Sequence, residues 1–362
     1  MMQFFYHTRN IFGPFLILSP LFGFLFLDKT LFFWFPVLFG ATLGCFSFPF
    51  SPKKFSLHAR FSLCLTVALV SLTVFSLPFP LPSLVTKILY FLFGASIGPL
   101  LLLFPSIMII GWFPRSKTHL LGTLWFLSLT ASVFWNLLLT AFPAFGLTSL
   151  WLSLIVGFHL CSQIPPFPFQ RERGPLDRPP SYTAKSYLFL LPVVSAPFLC
   201  LTLLQNETTT PSPYTGFLFI PLFLSPLLFS YFIERKGVFS SCVLLVFLQE
   251  IALLCLIQTE YPYLPILGII FVSVGFSAIT VVLPILSLYL YGLRNLVYYL
   301  SKLMSAIPFG VGMTLYYIKF DPTLPLYSEM PTIFFLLLLT VGFLCIFFVW
   351  KGRFIILKNK TM

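Results

Sequence analysis

The chain of 362 residues is 59% hydrophobic and only 8% charged, where a soluble domain is about one-quarter charged. A polar skin cannot enclose that much apolar surface at this length, which excludes a water-soluble globule and makes lipid the solvent for most of the chain. The net charge of +12 would suit nucleic acid as a partner, but the basic residues are dispersed among the connections between apolar runs, so none is expected.

In chain order, apolar segments run at 11–27, 31–50, 61–81, 88–110, 119–142, 145–164, 187–205, 215–233, 238–258, 264–291, 295–318 and 330–350. We refer to them as spans 1 to 12. Each approaches the ~20 residues that cross hydrocarbon as a helix, and none has the short alternating pattern of a barrel strand. Span 1 has no small-residue cleavage site after Leu27, so it reads as a retained helix rather than a signal peptide. The cysteines at 45, 64, 161, 200, 242, 255 and 345 all lie inside apolar runs. They read as small packing residues, with neither a disulfide framework nor a metal site.

With the N-terminus in the cytoplasm, the inner connections hold Arg9, Lys53, Lys54, Arg60, Arg115, Lys117, Arg171, Arg173, Arg178, Lys185, Arg235, Lys236, Arg294 and the basic tail from Lys351. The outer connections hold only Lys29, Lys87 and Lys319, together with the acids Asp28, Glu207, Glu260, Asp321 and Glu329. A missed span would invert every later loop, so this alternation supports the count of twelve and places both termini in the cytoplasm. The expected location is a plasma membrane, most simply a bacterial inner membrane. The inner loops face its anionic leaflet, and membrane lipid is the first expected partner. The Asn206-Glu207-Thr208 triplet in an outer loop also matches a glycosylation acceptor.

The Pro-rich, charged stretch 165–186 separates six spans from six, predicting a bundle at 1–164, a cytoplasmic linker, and a second bundle at 187–362. The halves carry corresponding marks. Gly94 and Gly98 sit within span 4, which ends toward Arg115, and Gly275 sits within span 10, which ends toward Arg294. Small residues at this spacing let helices approach closely in lipid, and repeated halves are frequent in secondary transporters.

The stretch Gly111-Trp112-Phe113-Pro114-Arg115-Ser116-Lys117, and Ser230-Tyr231-Phe232-Ile233-Glu234-Arg235-Lys236-Gly237 between spans 8 and 9, resemble loop motifs of the major facilitator superfamily. In the second, Glu234, Arg235 and Gly237 stand for the Asp, Arg and final Gly of Gly-x-x-x-Asp-Arg-x-Gly, and Ser230 replaces its first Gly. The equivalent first-half loop at 51–60 keeps only positive charge, and span 5 has one glycine, at its start. The resemblance implies an all-α fold of twelve helices in two six-helix bundles, with a solute site between them lined by spans 1, 4, 7 and 10. It also implies a monomeric secondary transporter without cofactor, rather than an enzyme. The incomplete first-half loop leaves a second reading, a non-transporting assembly protein with a degenerate transporter fold.

Ionisable groups within spans cost roughly 2.5–3.5 kcal/mol each on insertion scales and are therefore functional candidates. Glu250 in span 9 lies about 12 Å from the outer face at 1.5 Å per residue, where a carboxyl could carry a coupling proton or, with Gln249 beside it, simply bond to a neighbouring helix. Lys302 in span 11 could hold an anionic group of the solute or snorkel to the inner surface. Asn136 in span 5 and His159 in span 6 are weaker candidates, each equally served by an interhelical hydrogen bond. Glu234 and Arg235, with Gly237, Arg115 and Arg294 at the same membrane face, are candidates for a conformational latch. The middles of spans 1, 4, 7 and 10 carry almost no charge, which favours a small amphipathic solute over a sugar phosphate.

Overall fold

The computed structural model describes residues 11–21, 31–50, 56–75, 82–113, 116–162, 215–257, 263–320 and 340. Among them every regular element is helical, as hydrocarbon requires of a chain that must satisfy its own backbone. The helices are α1 (Ile11–Leu21), α2 (Leu31–Ser47), α3 (Leu57–Phe75), α4 (Ser83–Trp112), α5 (Lys117–Ala141), α6 (Pro143–Ser162), α7 (Thr215–Lys236), α8 (Val238–Ile257) and α9 (Tyr263–Phe320). The linker, span 7, span 12 apart from residue 340, Arg115 and both termini lie outside the described residues.

Spans 10 and 11 run into one another as α9, broken only where Gly292 takes φ 75° and ψ 172°. That left-handed region is open to glycine at little cost. We call the limbs α9N (263–291) and α9C (293–320). Gly237 makes a similar stop between α7 and α8, with φ 85° and its N–H donating to the Ile233 carbonyl at 2.8 Å.

α4 is the enclosed helix of the first half. Its middle, Pro99–Leu103, widens to a π-turn, and the Phe104 N–H reaches the Pro99 carbonyl. Pro99 and Pro105 lack the N–H groups that a regular ladder uses, so the helix is loosened where they fall. Against α4 lies α2, in contact so close that the glycines are required. A Cβ on Gly94 would stand 2.7 Å from both the Val37 carbonyl carbon and Cα, and one on Gly98 2.8 Å from the Ala41 carbonyl oxygen. From the opposite side, a Cβ on Gly44 would meet Ala95 backbone atoms at 2.8 Å. Aromatic rings carry the packing on to α3, from Phe48 to Phe61 at 4.7 Å and from Phe61 to Phe104 at 4.9 Å.

Hydroxyls inside this apolar structure mostly bond to their own helix. Ser96, Ser132, Ser273, Ser287 and Ser301 each donate to a carbonyl three or four residues earlier. Ties between helices are fewer: Trp135 Nε1 donates to Ser19 Oγ at 3.2 Å, Ser153 Oγ to the Leu16 carbonyl at 2.8 Å, and Ser225 Oγ to the Val274 carbonyl at 3.0 Å. Large apolar side chains cover the outside, with Leu84 70% and Phe134 64% exposed. Such a surface would aggregate in water and suits lipid.

Candidate functional site

Among the described residues, two seams chiefly join the helices before residue 165 to those after residue 186. In the first, α5 meets α7. A Cβ on Gly122 would lie 2.6 Å from Ser230 Oγ and 2.7 Å from the Pro226 carbonyl oxygen, so the single glycine of span 5 is the point where the two helices touch. Trp125, Ser128 and Leu129 of α5 are buried, as are Phe229 and Ile233 of α7. At the cytoplasm-assigned end, His119 Nε2 stands 2.5 Å from Glu234 Oε2. Both side chains are partly exposed, 51% and 36%, so the pair is screened by water and contributes about 0–1 kcal/mol.

The second seam joins α2 to α9C. Lys302 Nζ lies 5.9 Å from the Phe46 ring centroid, and Leu38 lies against Gly312, with 3.8 Å between its Cβ and a Cβ built there. Within α9C, Lys302 Nζ donates to the Tyr298 hydroxyl at 2.7 Å and sits 4.3 Å from that ring's centroid. Tyr299 packs edge-on to Tyr298 at 5.1 Å and stacks on Tyr291 at 3.9 Å. Beside the first turn of α3, Arg60 Nη1 donates to the Phe48 carbonyl at 3.2 Å. Partial burial pulls its pKa below the usual arginine value.

The expected candidates are distributed as follows. Glu250 is half-buried on α8 and makes no hydrogen bond or ion pair among the described residues. Its neighbour Gln249 is fully buried, and its amide group has no hydrogen-bond partner among the described residues. That amide occupies the place a side chain at Gly275 would fill. Gly94 and Gly275 are therefore not packing equivalents: the first receives a helix backbone and the second a side chain. Asn136 is half-buried beside Trp135 on α5, and His159 is exposed on α6. Arg235 is exposed on the last turn of α7, its guanidinium 5.0 Å from the Tyr231 ring centroid. Arg294 is helical and follows Gly292 by two residues.

Three participants had no place in the sequence expectations: His119 as the partner of Glu234, Gly122 as the seam contact, and Tyr298 as the partner of Lys302. The last was accessible in principle, because residues four apart on a helix are neighbours. Gly122 carried no such signal, since its partner is 104 or more positions away in the chain.

No family model matches the sequence, and no curated protein matches it. Solved structures do match the fold over nearly the whole chain. The proton:xylose symporter XylE, a major facilitator superfamily protein, superposes with a TM-score of 0.68 at 12% identity, covering 95% of this chain and 94% of its own. The major facilitator superfamily transporter FucP, in an outward conformation, gives 0.64 at 13% identity over 94% and 97%. A bacterial homologue of the iron transporter ferroportin, in an outward-facing state, gives 0.60 at 18% identity over 98% and 99%.

Proposed function

With the major-facilitator fold as the premise, we propose that this chain is a divergent member of that superfamily and moves a small organic solute across its membrane by alternating access. The observation that carries the reading is the arrangement of the two seams. One joins spans 5 and 8 and the other spans 2 and 11. Adding six exchanges one seam for the other, the relation expected of two six-span halves about a pseudo-two-fold axis along the membrane normal. The named contacts His119–Glu234, Gly122–Ser230 and Phe46–Lys302 gather toward the face that the basic loops assign to the cytoplasm. The described conformation is then closed toward the cytoplasm.

In this reading Glu234 and His119 form the latch and Arg235 flanks it. The latch is weak because both side chains are wet, as a contact broken in every cycle must be. The coupling ion is a proton and Glu250 its candidate carrier. Its carboxyl, within α8 and without a hydrogen bond or ion pair among the described residues, is the feature that supports this role.

The test is uptake into proteoliposomes, with a reversible cross-link across the seam. In a protein bearing His119→Cys and Glu234→Cys in a background without the native cysteines, oxidation should stop saturable solute uptake and reduction should restore it. Uptake that continues at full rate through the cross-link removes alternating access at this seam. Absence of flux for every solute, with a partner protein held through purification, favours the assembly reading instead.

A further inference from the structure

The two seams differ in what a proton can do to them. Neither α2 nor α9 contains a histidine, aspartate or glutamate, so the α2–α9C seam has no imidazole or carboxyl from either helix. The α5–α7 seam sets one against the other: His119 Nε2 lies 2.5 Å from Glu234 Oε2, and both side chains are partly exposed, so buffer reaches them. His119 stands in the first turn of α5 and Glu234 in the last turn of α7. The pair is thus one turn nearer the cytoplasm-assigned face than the contact of Gly122 with Ser230.

The other charges on the packed elements are nearly all basic. α5 adds Lys117, and α7 adds Arg235 and Lys236. Of the helices against α5, α6 carries only His159, exposed in its last turn, and α4 only Lys87, near its outer end. α8, against α7, carries Glu250 well within the membrane, and α9, against both, carries Arg294, Lys302 and Lys319. These cations oppose a proton on His119, and the Glu234 carboxylate favours it. Coulomb attraction falls with distance and water screens charges that are not in contact. Arg235 is moreover turned back along α7 onto the Tyr231 ring, so the direct contact decides the sign.

We propose that His119 makes the α5–α7 seam a proton-sensitive gate: a proton on the imidazole turns the contact with Glu234 into an ion pair and favours the conformation closed toward the cytoplasm. The inference rests on the alternating-access reading and names a regulation of that same latch. A neutral imidazole can still donate from Nε2 to the carboxylate, and the proton adds charge to that bond. The added attraction is present on the acid side and is lost as the pH rises through about 5–8, where imidazoles titrate and glutamates stay ionised. For an exposed pair it changes the ratio of closed to open by no more than about fivefold. Acidification of the cytoplasmic side therefore acts on this seam and leaves the α2–α9C contact alone.

The test uses the full chain in inside-out vesicles, where the bath sets the pH at the cytoplasmic face. A cysteine replaces Ser128, fully buried on α5, in a background without native cysteines, and its labelling by a membrane-impermeant maleimide reports opening. Thiol reactivity itself rises with pH, so each rate is divided by that of the matching His119→Gln protein at the same pH. The ratio should fall about two- to fivefold from pH 8 to pH 6. It should stay flat in Glu234→Gln, which keeps the imidazole, and flat but low in His119→Arg, which keeps a charge at every pH. A flat ratio in the parent protein, or an equal fall in Glu234→Gln, overturns the proposal. Gly122→Ala, which forces the same two helices apart, separates the two levels of inference. Faster labelling in that variant with a flat ratio sinks the proton gate alone, and labelling that answers to neither sinks alternating access at this seam as well.

Discussion

Replacing Gly122 by alanine should open the α5–α7 seam from the cytoplasmic side. The new methyl carbon would stand 2.6 Å from Ser230 Oγ and 2.7 Å from the Pro226 carbonyl oxygen, about 1 Å inside the 3.5–4.0 Å at which such atoms rest. Ser230 Oγ can rotate, but the Pro226 oxygen belongs to the helix backbone, so the helices themselves must separate. Overpacking of this kind costs about 1–3 kcal/mol. In the proposed alternating-access cycle the cost falls on the conformation closed toward the cytoplasm, in which α5 and α7 meet at this point. The equilibrium should therefore shift roughly 5–150-fold toward the conformation open to the cytoplasm. Gly312, at the other seam, is the natural control: its nearest neighbour among the described residues, Leu38 Cβ, would be 3.8 Å from the added carbon, an ordinary contact, and Gly312→Ala should shift little. The assay is labelling of a cysteine introduced at Ser128, which is fully buried on α5, by a membrane-impermeant maleimide applied to inside-out vesicles of a protein lacking its native cysteines. Labelling should accelerate with Gly122→Ala and not with Gly312→Ala. Equal rates in the two variants, or acceleration only from the outer face, would refute the reasoning.

Glu250→Gln should abolish the dependence of uptake on an imposed proton gradient while leaving solute counterflow intact, and a dependence that persists removes Glu250 from coupling. Gly94→Ala sets a methyl carbon against the Val37 carbonyl oxygen and 2.7 Å from the Val37 carbonyl carbon, so the detergent-solubilised protein should lose about 1–3 kcal/mol of stability, read as earlier thermal unfolding. Glu234→Gln removes the exposed contact with His119, which is an ion pair only when the imidazole is protonated. It should loosen the closed seam by no more than about 1 kcal/mol, with a difference from wild type that fades as salt is raised, measurable by the same Ser128 labelling. Gly237→Ala forces a side chain into φ 85° where there is open space around it, so its cost of about 1–2 kcal/mol is backbone strain alone and should appear as reduced thermal stability.

The membrane character was legible in composition, and so were the helical segments from α1 to α6 and from α7 to α9. Both follow from the absence of water in hydrocarbon: a stretch of ~20 apolar residues has no stable alternative to a helix there. Boundaries were less legible. α3 begins at Leu57, earlier than the expected 61, and residues 76–81 of that expected span lie outside the described residues. Spans 10 and 11 meet at Gly292 with almost no intervening loop, a connection that only a residue free to take positive φ can make.

The sequence by itself determined the apolar, helical character of the described stretches, where the rare charges Glu250 and Lys302 fall along them, and which residues have the small size that close packing needs. It did not determine which faces of the helices meet. In water an apolar stripe points to the core, but lipid tails and protein interiors are equally apolar, so a membrane helix gives no such direction. Only the tertiary structure decided that Gly94 faces Val37, that Gly275 receives the Gln249 amide, and that Gly122 holds α5 against α7. It likewise paired Glu234 with His119 and set Lys302 before Phe46, because contacts between distant spans depend on shape at the interface, which hydropathy does not record.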